Sequence, residues 1–372
     1  MLTLNDLFQG FRQPDVIRAL AAQITELAKD LPEPLRVMEV CGGHTHTIMK
    51  YGLHQLLPAS IEFVHGPGCP VCIMPKERID QAIELARQPN VILVTLGDMI
   101  RVPGSKGTLA QQRAKGSDIR PVYDPLDALR IAKENPDKTV VFFAIGFETS
   151  TPMTAALLAA AEAEGIENLL FHINHVLVPP AIHAVMADGV AKVNAFIGPS
   201  HVSVITGADI YLPIVDRYQV PVVVSGFEPV DVMEALLMMV RQKVEGRYAL
   251  EVQYTRAVTA SGNKTAQRLV ERFFETRDHF RWRGLGDINA SALRLRDAFA
   301  KRDAERHFVL DQTPIDDHKA CQCADILRGL AKPNQCKVFG RGCTPTQPMG
   351  SCMVSSEGAC NAYYRYMGIQ EQ

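Results

Sequence analysis

The feature of this sequence that most limits its fold is the alternation of short apolar runs with helical patterns. Seven runs have the length of strands and little polar alternation, which is typical of strands buried on both faces of a parallel sheet. They are Leu35–Val40, Ile61–His65, Val91–Leu96, Thr139–Ile145, Leu169–Ile173, Ala195–Ile197 and Val220–Ser225. The helical patterns are Asp15–Lys29, Lys76–Arg87, Pro125–Glu134, Thr151–Glu164, Pro180–Asp188 and Val230–Val244. This alternation predicts an α/β fold with two parallel sheets.

The rhythm of strands and helices stops at about Tyr254, and a cysteine-rich tail with many Pro and Gly residues begins at Lys319. A chain of 372 residues is long enough for two or three domains. We therefore predict one α/β domain at residues 1–140, a second at residues 141–253, and a mainly helical and loop C-terminal domain at residues 254–372.

Charge and hydropathy exclude several classes of protein. The chain has 39 Lys and Arg against 41 Asp and Glu, a formal charge of −2, so it lacks the basic excess of a nucleic-acid or membrane-surface binder. No apolar run approaches the roughly 18–20 residues of a spanning helix. The first residues, MLTLNDLFQGFRQPD, do not have the pattern of a signal peptide. We expect a cytoplasmic protein.

The nine cysteines fall into two groups. Three lie near the N-terminus, and none occurs between Cys72 and Cys321. The N-terminal three are Cys41, Cys69 and Cys72, and the tail carries Cys321, Cys323, Cys336, Cys343, Cys352 and Cys360. Structural disulfides are rare in a reducing compartment, and an odd number cannot form a closed set of them. Clustered thiols therefore indicate metal binding or redox chemistry.

The predicted strands run into polar segments, most of which contain glycine. These segments are CGGHTH, GPGCPVC, GDMIRVPGS, GFETS, NHVLVPP, GPSHVSVITG and GFEP. Open α/β sheets bind ligands beyond the carboxyl ends of their strands, so we expect these segments to form a site. Strand–helix turns need Gly and Pro in any case, but turns alone do not account for the thiols. The candidate residues besides the thiols are His44, Asp98, Arg101, Glu148, His175, His201 and Glu228.

Each group of cysteines suits more than one chemistry. Cys69 and Cys72 form a CxxC motif, which serves either as a reversible disulfide or as two ligands of one metal. A soft metal would accept Cys41, Cys69, Cys72 and one histidine. The tail cysteines are spaced too irregularly for a paired zinc ribbon, which favours an iron–sulfur cluster over structural zinc or plain thiols.

Taken together, these motifs and the tail CTPTQPMGSCMVSSEGACNAYYRY resemble the HypD family of hydrogenase maturation proteins, from about Arg36 to Tyr366. The resemblance implies a scaffold on which the Fe(CN)2CO group of [NiFe]-hydrogenase is assembled. It implies HypC as a partner and HypE as the source of cyanide. It further implies two α/β domains facing a cleft, and a third domain that holds a [4Fe–4S] cluster.

The resemblance also implies roles for the thiols. Cys41 is then the iron ligand, and Cys69 and Cys72 are a redox-active pair that relays electrons together with the cluster. The predicted cluster ligands are Cys336, Cys343, Cys352 and Cys360, with Cys323 as the alternate. Such a protein is a maturation scaffold with redox activity rather than a conventional turnover enzyme.

Two other classes of function are open at this point. One is a cluster-dependent thiol–disulfide oxidoreductase in which Cys69 and Cys72 reduce a protein disulfide. The other is a zinc enzyme that uses Cys41, His44, Cys69 and Cys72 as ligands.

Overall fold

A computed structural model describes residues 9–367 of the chain, and two parallel β-sheets lie at its centre. The strands of the sheets are β1 Leu35–Glu39, β2 Ile61–His65, β3 Val91–Leu96, β4 Ile119–Val122, β5 Thr139–Gly146, β6 Leu169–His175, β7 Ala195–Pro199, β8 Val222–Ser225 and β9 Leu250–Val252. The first sheet has the order β2-β1-β7-β8-β9 and the second β4-β3-β5-β6, and every pairing within them is parallel. The predicted α/β class with parallel sheets is confirmed.

All seven predicted runs are strands, and their bounds agree with the prediction to within two residues. Two strands of the sheets, β4 and β9, were not predicted. Both lie at the edge of a sheet, where one side is less protected and the sequence need not be a continuous apolar run. Their sequences, IRPV and LEV, carry a charged residue in the middle for this reason.

The two sheets do not follow the order of the chain. The first sheet takes β1 and β2 from the start of the chain and β7, β8 and β9 from beyond residue 194, while β3 to β6 form the second sheet. The predicted boundary between residues 140 and 141 falls inside β5. Apolar runs locate strands but do not specify their partners, so the division at residues 1–140 and 141–253 could not anticipate this return to the first sheet.

Helices cover the faces of both sheets. They are α1 Pro14–Leu27, α2 Gly42–Lys50, α3 Lys76–Ala86, α4 Leu109–Ala114, α5 Asp127–Glu134, α6 Thr151–Ala163, α7 Val178–Ala187, α8 Ser200–Thr206, α9 Leu212–Tyr218 and α10 Pro229–Val244. The six predicted helical patterns correspond to α1, α3, α5, α6, α7 and α10. The helix α2 is a correction, because the segment CGGHTH was interpreted as a turn and is instead the start of a helix.

The C-terminal region contains more strand than was predicted. Two short antiparallel pairs, β10 Phe274–Thr276 with β13 Leu293–Leu295 and β11 His279–Trp282 with β12 Gly286–Asn289, stand among its helices. These strands are short and partly exposed, so their sequences lack the apolar run of a buried strand. The helices there are α11 Lys264–Phe273, α12 Ala304–His307, α13 Cys323–Leu327 and α14 Ala359–Tyr366.

The cysteine-rich tail packs against the first sheet and its helices. Helix α14 contacts α2, which begins directly after Cys41. The guanidinium of Arg36 in β1 donates to the carbonyl oxygen of Gly329 at 3.0 Å. The tail is thereby held beside the strand ends. Within residues 9–367, none of the helices has both the length and the apolar character needed to cross a bilayer.

Candidate functional site: a cleft and a cysteine-rich tail

A cleft of about 890 Å³ opens at the carboxyl ends of strands from both sheets. Cys41 follows β1, Asp98 follows β3, and His201 lies in the helix after β7. Phe227 and the tail residue Glu357 complete this part of the wall. The strand-end segments therefore meet at one site, as the sequence predicts for a parallel α/β fold.

Cys41 is half-buried on the cleft and directly precedes helix α2. Its backbone N–H donates to the carboxylate of Glu39 at 3.3 Å. Burial raises the pKa of the Cys41 thiol, and the negative charges of Glu357 and Glu39 raise it further. Because these neighbours oppose a bare thiolate, Cys41 would ionise readily only when a cation such as a metal ion compensates the charge.

The loop that carries Cys69 lies against Cys41. The N–H of Gly42 donates to the carbonyl oxygen of Gly68 at 3.0 Å. A Cβ atom on Gly68 would lie only 2.2 Å from the backbone nitrogen of Cys41, so this close approach requires glycine. The two thiol-bearing loops of the first sheet thus form one unit.

His44 is placed beneath the cleft rather than in it. Its side chain is completely buried, and its Nε2 lies 3.2 Å and 3.0 Å from the carbonyl oxygens of Ser225 and Gly226. Its ring packs on Phe227 with the ring centroids 4.5 Å apart. Burial lowers the pKa of His44 to about 4, so the ring is neutral at physiological pH and donates through Nε2. This bonding ties His44 to the end of β8 and weakens its case as a zinc ligand.

Asp98 and His201 do line the cleft. Asp98 accepts a hydrogen bond from Arg101 at 2.9 Å, and the same guanidinium reaches the carbonyl oxygen of Val354 in the tail at 3.2 Å. His201 is exposed and sets its ring edge-on to Phe227 at a centroid distance of 4.6 Å. Desolvation lowers the pKa of His201. Both residues can therefore face a molecule held in the cleft.

Three other candidates are engaged elsewhere. Glu228 pairs with Arg12, whose Nη2 donates to Oε1 at 2.7 Å, and it caps helix α10. His175 is completely buried with Nε2 at 2.8 Å from the hydroxyl of Thr154. Glu148 accepts a hydrogen bond from the Val178 N–H at 2.9 Å, and burial raises the pKa of its carboxyl group to about 7. None of these three residues lines the cleft.

Sequence reasoning missed two acidic residues near Cys41. Glu357 lies on the cleft, where desolvation and the neighbouring Asp98 raise its pKa. It sits three residues before Cys360, in a segment interpreted only as part of the tail. Glu39 is buried in β1 and bonds to His65. Glu39 and His65 are polar residues at the ends of two apolar strands, and this was the signal that could have identified Glu39.

The CxxC motif lies behind the cleft. Cys69 and Cys72 are both buried; the thiol of Cys72 donates to the carbonyl oxygen of Ser351 at 3.9 Å and interacts with the neighbouring thiols of Cys69 and Cys352. Burial, more than these contacts, raises the pKa of Cys72. A helix that began near Cys72 would lower a thiol pKa in the motif through its dipole, and the helix that follows the motif is α3. It begins only at Lys76, so its N-terminus is not available to the sulfur of Cys72.

The tail cysteines surround a second, much smaller cavity. It is lined by Cys321, Cys323, Cys336, Cys343 and Cys360. A Cβ atom on Gly350 would lie 2.5 Å from the sulfur of Cys321 and 2.6 Å from that of Cys323. The sulfur of Cys343 accepts the N–H of Met349 at 3.3 Å. Five cysteines thus line one small cavity, and a backbone N–H donates to one of their sulfurs.

Cys352 occupies a different position from the other tail cysteines. It is completely buried, does not line the small cavity, and has thiol contacts with Cys72, Cys323 and Cys360. These contacts with neighbouring thiols lower the pKa of Cys352. Cys352 therefore stands between the CxxC motif and the tail cavity.

The donor set of the tail suits a thiolate-bound iron–sulfur cluster. Soft sulfur ligands and backbone N–H groups directed at them are what such clusters use. Within residues 9–367, no three or more His, Cys, Asp or Glu side chains are arranged to hold a single metal ion. The thiolates around a cluster bind different irons and so stand farther apart than the ligands of one ion. The arrangement of the thiols is therefore evidence against a single zinc ion and is compatible with a cluster.

The fold and the site together define a class: a parallel α/β protein whose thiol-rich tail packs beside a cleft at the strand ends. The family model HypD, described as the Hydrogenase formation hypA family, matches residues 15–367. This chain therefore belongs to the HypD family.

Several curated relatives carry the name hydrogenase maturation factor HypD. The chain is 52% identical to the one from Azotobacter vinelandii over 368 residues, which is 97% of each chain. It is 51% identical to the one from Rhizobium leguminosarum bv. viciae, over 97% of this chain and 96% of the relative. The relative from Escherichia coli is 43% identical, over 96% of each chain.

Proposed function

We propose that this protein acts in hydrogenase maturation as a scaffold that holds an iron cargo, Fe(CN)2CO, on Cys41 while the group is assembled. Family membership supports the general role. The single observation that carries the specific role is the position of Cys41, a thiol on the wall of an open cleft with the buried pair Cys69 and Cys72 behind it.

The chemistry of Cys41 suits such a cargo. Cyanide and carbonyl favour low-spin Fe(II), and a soft thiolate can bind this iron while other coordination positions stay open. The carboxylates that raise the Cys41 pKa favour a bound cation over a free thiolate. Cyanide and carbonyl ligands only accept hydrogen bonds, and the ring N–H of His201 on the same cleft can donate one. Closure of the cleft by a partner would exclude water from it.

Cys69 and Cys72 would serve as a dithiol. Their oxidation to a disulfide releases two electrons and two protons, and reduction restores both thiols. Their burial protects the pair from solutes, and the contact of Cys72 with Cys352 places the tail thiols next to it. The pair would therefore exchange electrons with the tail side of the molecule rather than with solvent.

The tail would hold a [4Fe–4S] cluster, which supplies one-electron redox equivalents when it is bound. The lining of the small cavity favours Cys336, Cys343 and Cys360 as ligands, with either Cys321 or Cys323 as the fourth. Cys352, which was predicted from the sequence to be a ligand, contacts Cys323 and Cys360 as well as Cys72, so it borders both the tail thiols and the CxxC motif. The N–H of Met349 would stabilise negative charge on the sulfur of Cys343.

The role also requires partners. A HypC-type protein would supply a second iron ligand, and a HypE-type protein would deliver cyanide. The cleft is open, and Tyr123 on its wall is 99% exposed. A large aromatic side chain exposed beside a cleft suits contact with another protein. We therefore expect the partner to cover the cleft and to meet the cargo at Cys41.

Complementation of a strain that lacks its own HypD tests this function. The wild-type chain should restore hydrogenase activity, and Cys41→Ala should abolish it while the protein still accumulates. Val309→Ala is the control, because Val309 is fully exposed and does not line the cleft. Full activity from Cys41→Ala would refute the role of this thiol.

A second candidate is a thiol–disulfide oxidoreductase, favoured by the contacts that connect Cys69, Cys72, Cys352 and Cys323. It predicts reduction of a protein disulfide by the reduced, isolated chain. Under this alternative Cys41→Ala would retain the activity and Cys72→Ser would lose it.

A further inference from the structure

The residues at the ends of β1 and β2 form a buried polar pair directly before the two thiol loops. Glu39 and His65 are partners in the parallel register of these strands. Their side chains are 0% and 4% exposed, and Nδ1 of His65 lies 2.7 Å from Oε1 of Glu39. Glu39 is followed by the loop of Cys41, and His65 is followed by the loop of Cys69.

The carboxylate of Glu39 reaches both loops. Its Oε2 accepts the backbone N–H of Cys41 at 3.3 Å, and its Oε1 also accepts the hydroxyl of Thr45 in the first turns of α2. The backbone oxygen of Glu39 accepts the N–H of Gly66 at 2.9 Å, in the loop that leads to Cys69. One residue thus bonds to the Cys41 loop, the Cys69 loop and the helix between them.

We infer that Glu39 and His65 are positioning residues that fix Cys41 relative to Cys69. Neither thiol is held directly, because Glu39 acts through the backbone of Cys41 and His65 acts by orienting Glu39. The inference goes beyond the proposed function, since it concerns the geometry of the loops whatever Cys41 binds.

The need for such a device follows from the end of the sheet. The strand pairing of β1 with β2 ends at Glu39 and His65, and beyond it the two loops are joined by the backbone N–H groups of Gly66 and Gly42. The Cys41 N–H faces the completely buried side chain of Glu39, so without the carboxylate it would lose its hydrogen-bond partner. His65 in turn keeps the carboxylate from rotating away from this N–H, because it holds the other oxygen.

Amide hydrogen exchange, resolved by mass spectrometry of peptides, tests the inference on the complete chain. In His65→Leu and in Glu39→Leu, we expect the amides of residues 41–43 to exchange at least about tenfold faster. In His65→Asn the side-chain amide can replace Nδ1, and in Glu39→Gln an oxygen can still accept the Cys41 N–H. Both conservative variants should therefore exchange within about threefold of the wild type.

The control is His172→Leu. His172 is also completely buried and hydrogen-bonded, to Gln81 at 3.0 Å, but it lies in the second sheet. It should destabilise the fold without a selective effect on residues 41–43. Unchanged exchange in a folded His65→Leu protein would overturn the inference, and so would His65→Asn behaving like His65→Leu.

If the leucine variants do not fold, Glu39→Asp decides the question. It keeps the charge but is one methylene too short to reach the Cys41 N–H from the same backbone. Selectively faster exchange at residues 41–43 supports the inference, and wild-type exchange overturns it. None of these measurements uses iron or hydrogenase activity, so their failure is distinct from a failure of the proposed function.

Discussion

The cleft and the tail place the same functional group, the cysteine thiol, in two different settings. Cys41 stands alone and half-buried on a cleft of about 890 Å³, with carboxylates as its neighbours. The tail thiols converge on a small cavity, and most of them are buried. An accessible thiol suits a cargo that must arrive and leave, while a packed set of thiols suits a group that stays. The difference shows that exposure, more than residue type, separates the two roles.

The CxxC motif lies between these two settings. Cys69 belongs to the loop that packs against Cys41, and Cys72 contacts the thiol of Cys352 in the tail. The motif is buried, as most of the tail thiols are. It follows a strand of the first sheet, as Cys41 does. Any chemistry that couples the cleft to the tail would therefore involve these two cysteines.

The largest effect is expected from removing a tail thiol. Replacing Cys343 or Cys360 with Ala should abolish the absorption near 400 nm of anaerobically purified protein, because a lost thiolate has no ready substitute as a cluster ligand. Cys41→Ala should leave this absorption intact. Loss of the colour in Cys41→Ala would mean that the cleft and the tail are not separate sites.

The next effect concerns the connection between the two regions. Mild oxidation should remove two thiols, those of Cys69 and Cys72, from the set that is alkylated after denaturation, and a dithiol reductant should restore them. Cys69→Ser should reduce maturation activity at least about tenfold without loss of the fold, since serine is nearly isosteric with cysteine. Wild-type maturation by Cys69→Ser would show that the regions do not need this pair.

A pH effect on stability should arise from the buried carboxyl group of Glu148, next to the cleft residue Phe147. Burial raises the pKa of Glu148 to about 7, from an ordinary value of 4.5. Between these values the folded protein keeps a proton that the unfolded chain has lost, so the free energy of unfolding should fall as the pH rises through this window. The loss should amount to at most about 3 kcal/mol.

Glu148→Gln is the matched variant for this test, because it cannot ionise. Its free energy of unfolding, measured by urea denaturation from pH 4.5 to pH 8, should lack that part of the decrease. An identical pH dependence in the wild type and in Glu148→Gln would show that the carboxyl group is not perturbed by burial.

The smallest effect expected is a difference in stability between alanine substitutions at two glycines that line the cleft, Gly68 and Gly97. A Cβ atom on Gly68 would lie 2.2 Å from the Cys41 nitrogen, whereas one on Gly97 would meet nothing within 4 Å. Gly68→Ala should therefore lower the free energy of unfolding by about 1–3 kcal/mol, as overpacking does. Gly97→Ala should change it by less than about 0.5 kcal/mol. Equal effects of the two substitutions would contradict the close packing of the thiol loops.

The sequence predicted the buried strands well and their arrangement poorly. Runs such as Val91–Leu96 are apolar because both faces of the strand are covered, so composition alone reveals them. The edge strands β4 and β9 lack that pattern, and no local signal states that β7 pairs with β1. Pairing between distant strands depends on tertiary packing, so no short segment of a single sequence reveals it.

The sequence predicted which residues lie at the strand ends, but it did not predict where their side chains point. Cys41, Asp98 and His201 follow strand ends and reach the cleft as expected. Glu228 follows a strand end too, but Arg12 from the start of the chain draws its carboxylate away. His44 points to carbonyl groups below the cleft. Such contacts arise between residues far apart in sequence, so spacing could not predict them.

The central claim is that Cys41 holds the iron cargo, and infrared spectroscopy tests it most directly. The protein would be co-expressed with its HypC-type partner and purified without oxygen, as wild type and as Cys41→Ala. The wild-type complex should show bands in the cyanide and carbonyl stretching region. Cys41→Ala should bind the partner and keep its cluster absorption but lack these bands. Bands of normal intensity from the Cys41→Ala complex would contradict the claim and place the iron on another ligand.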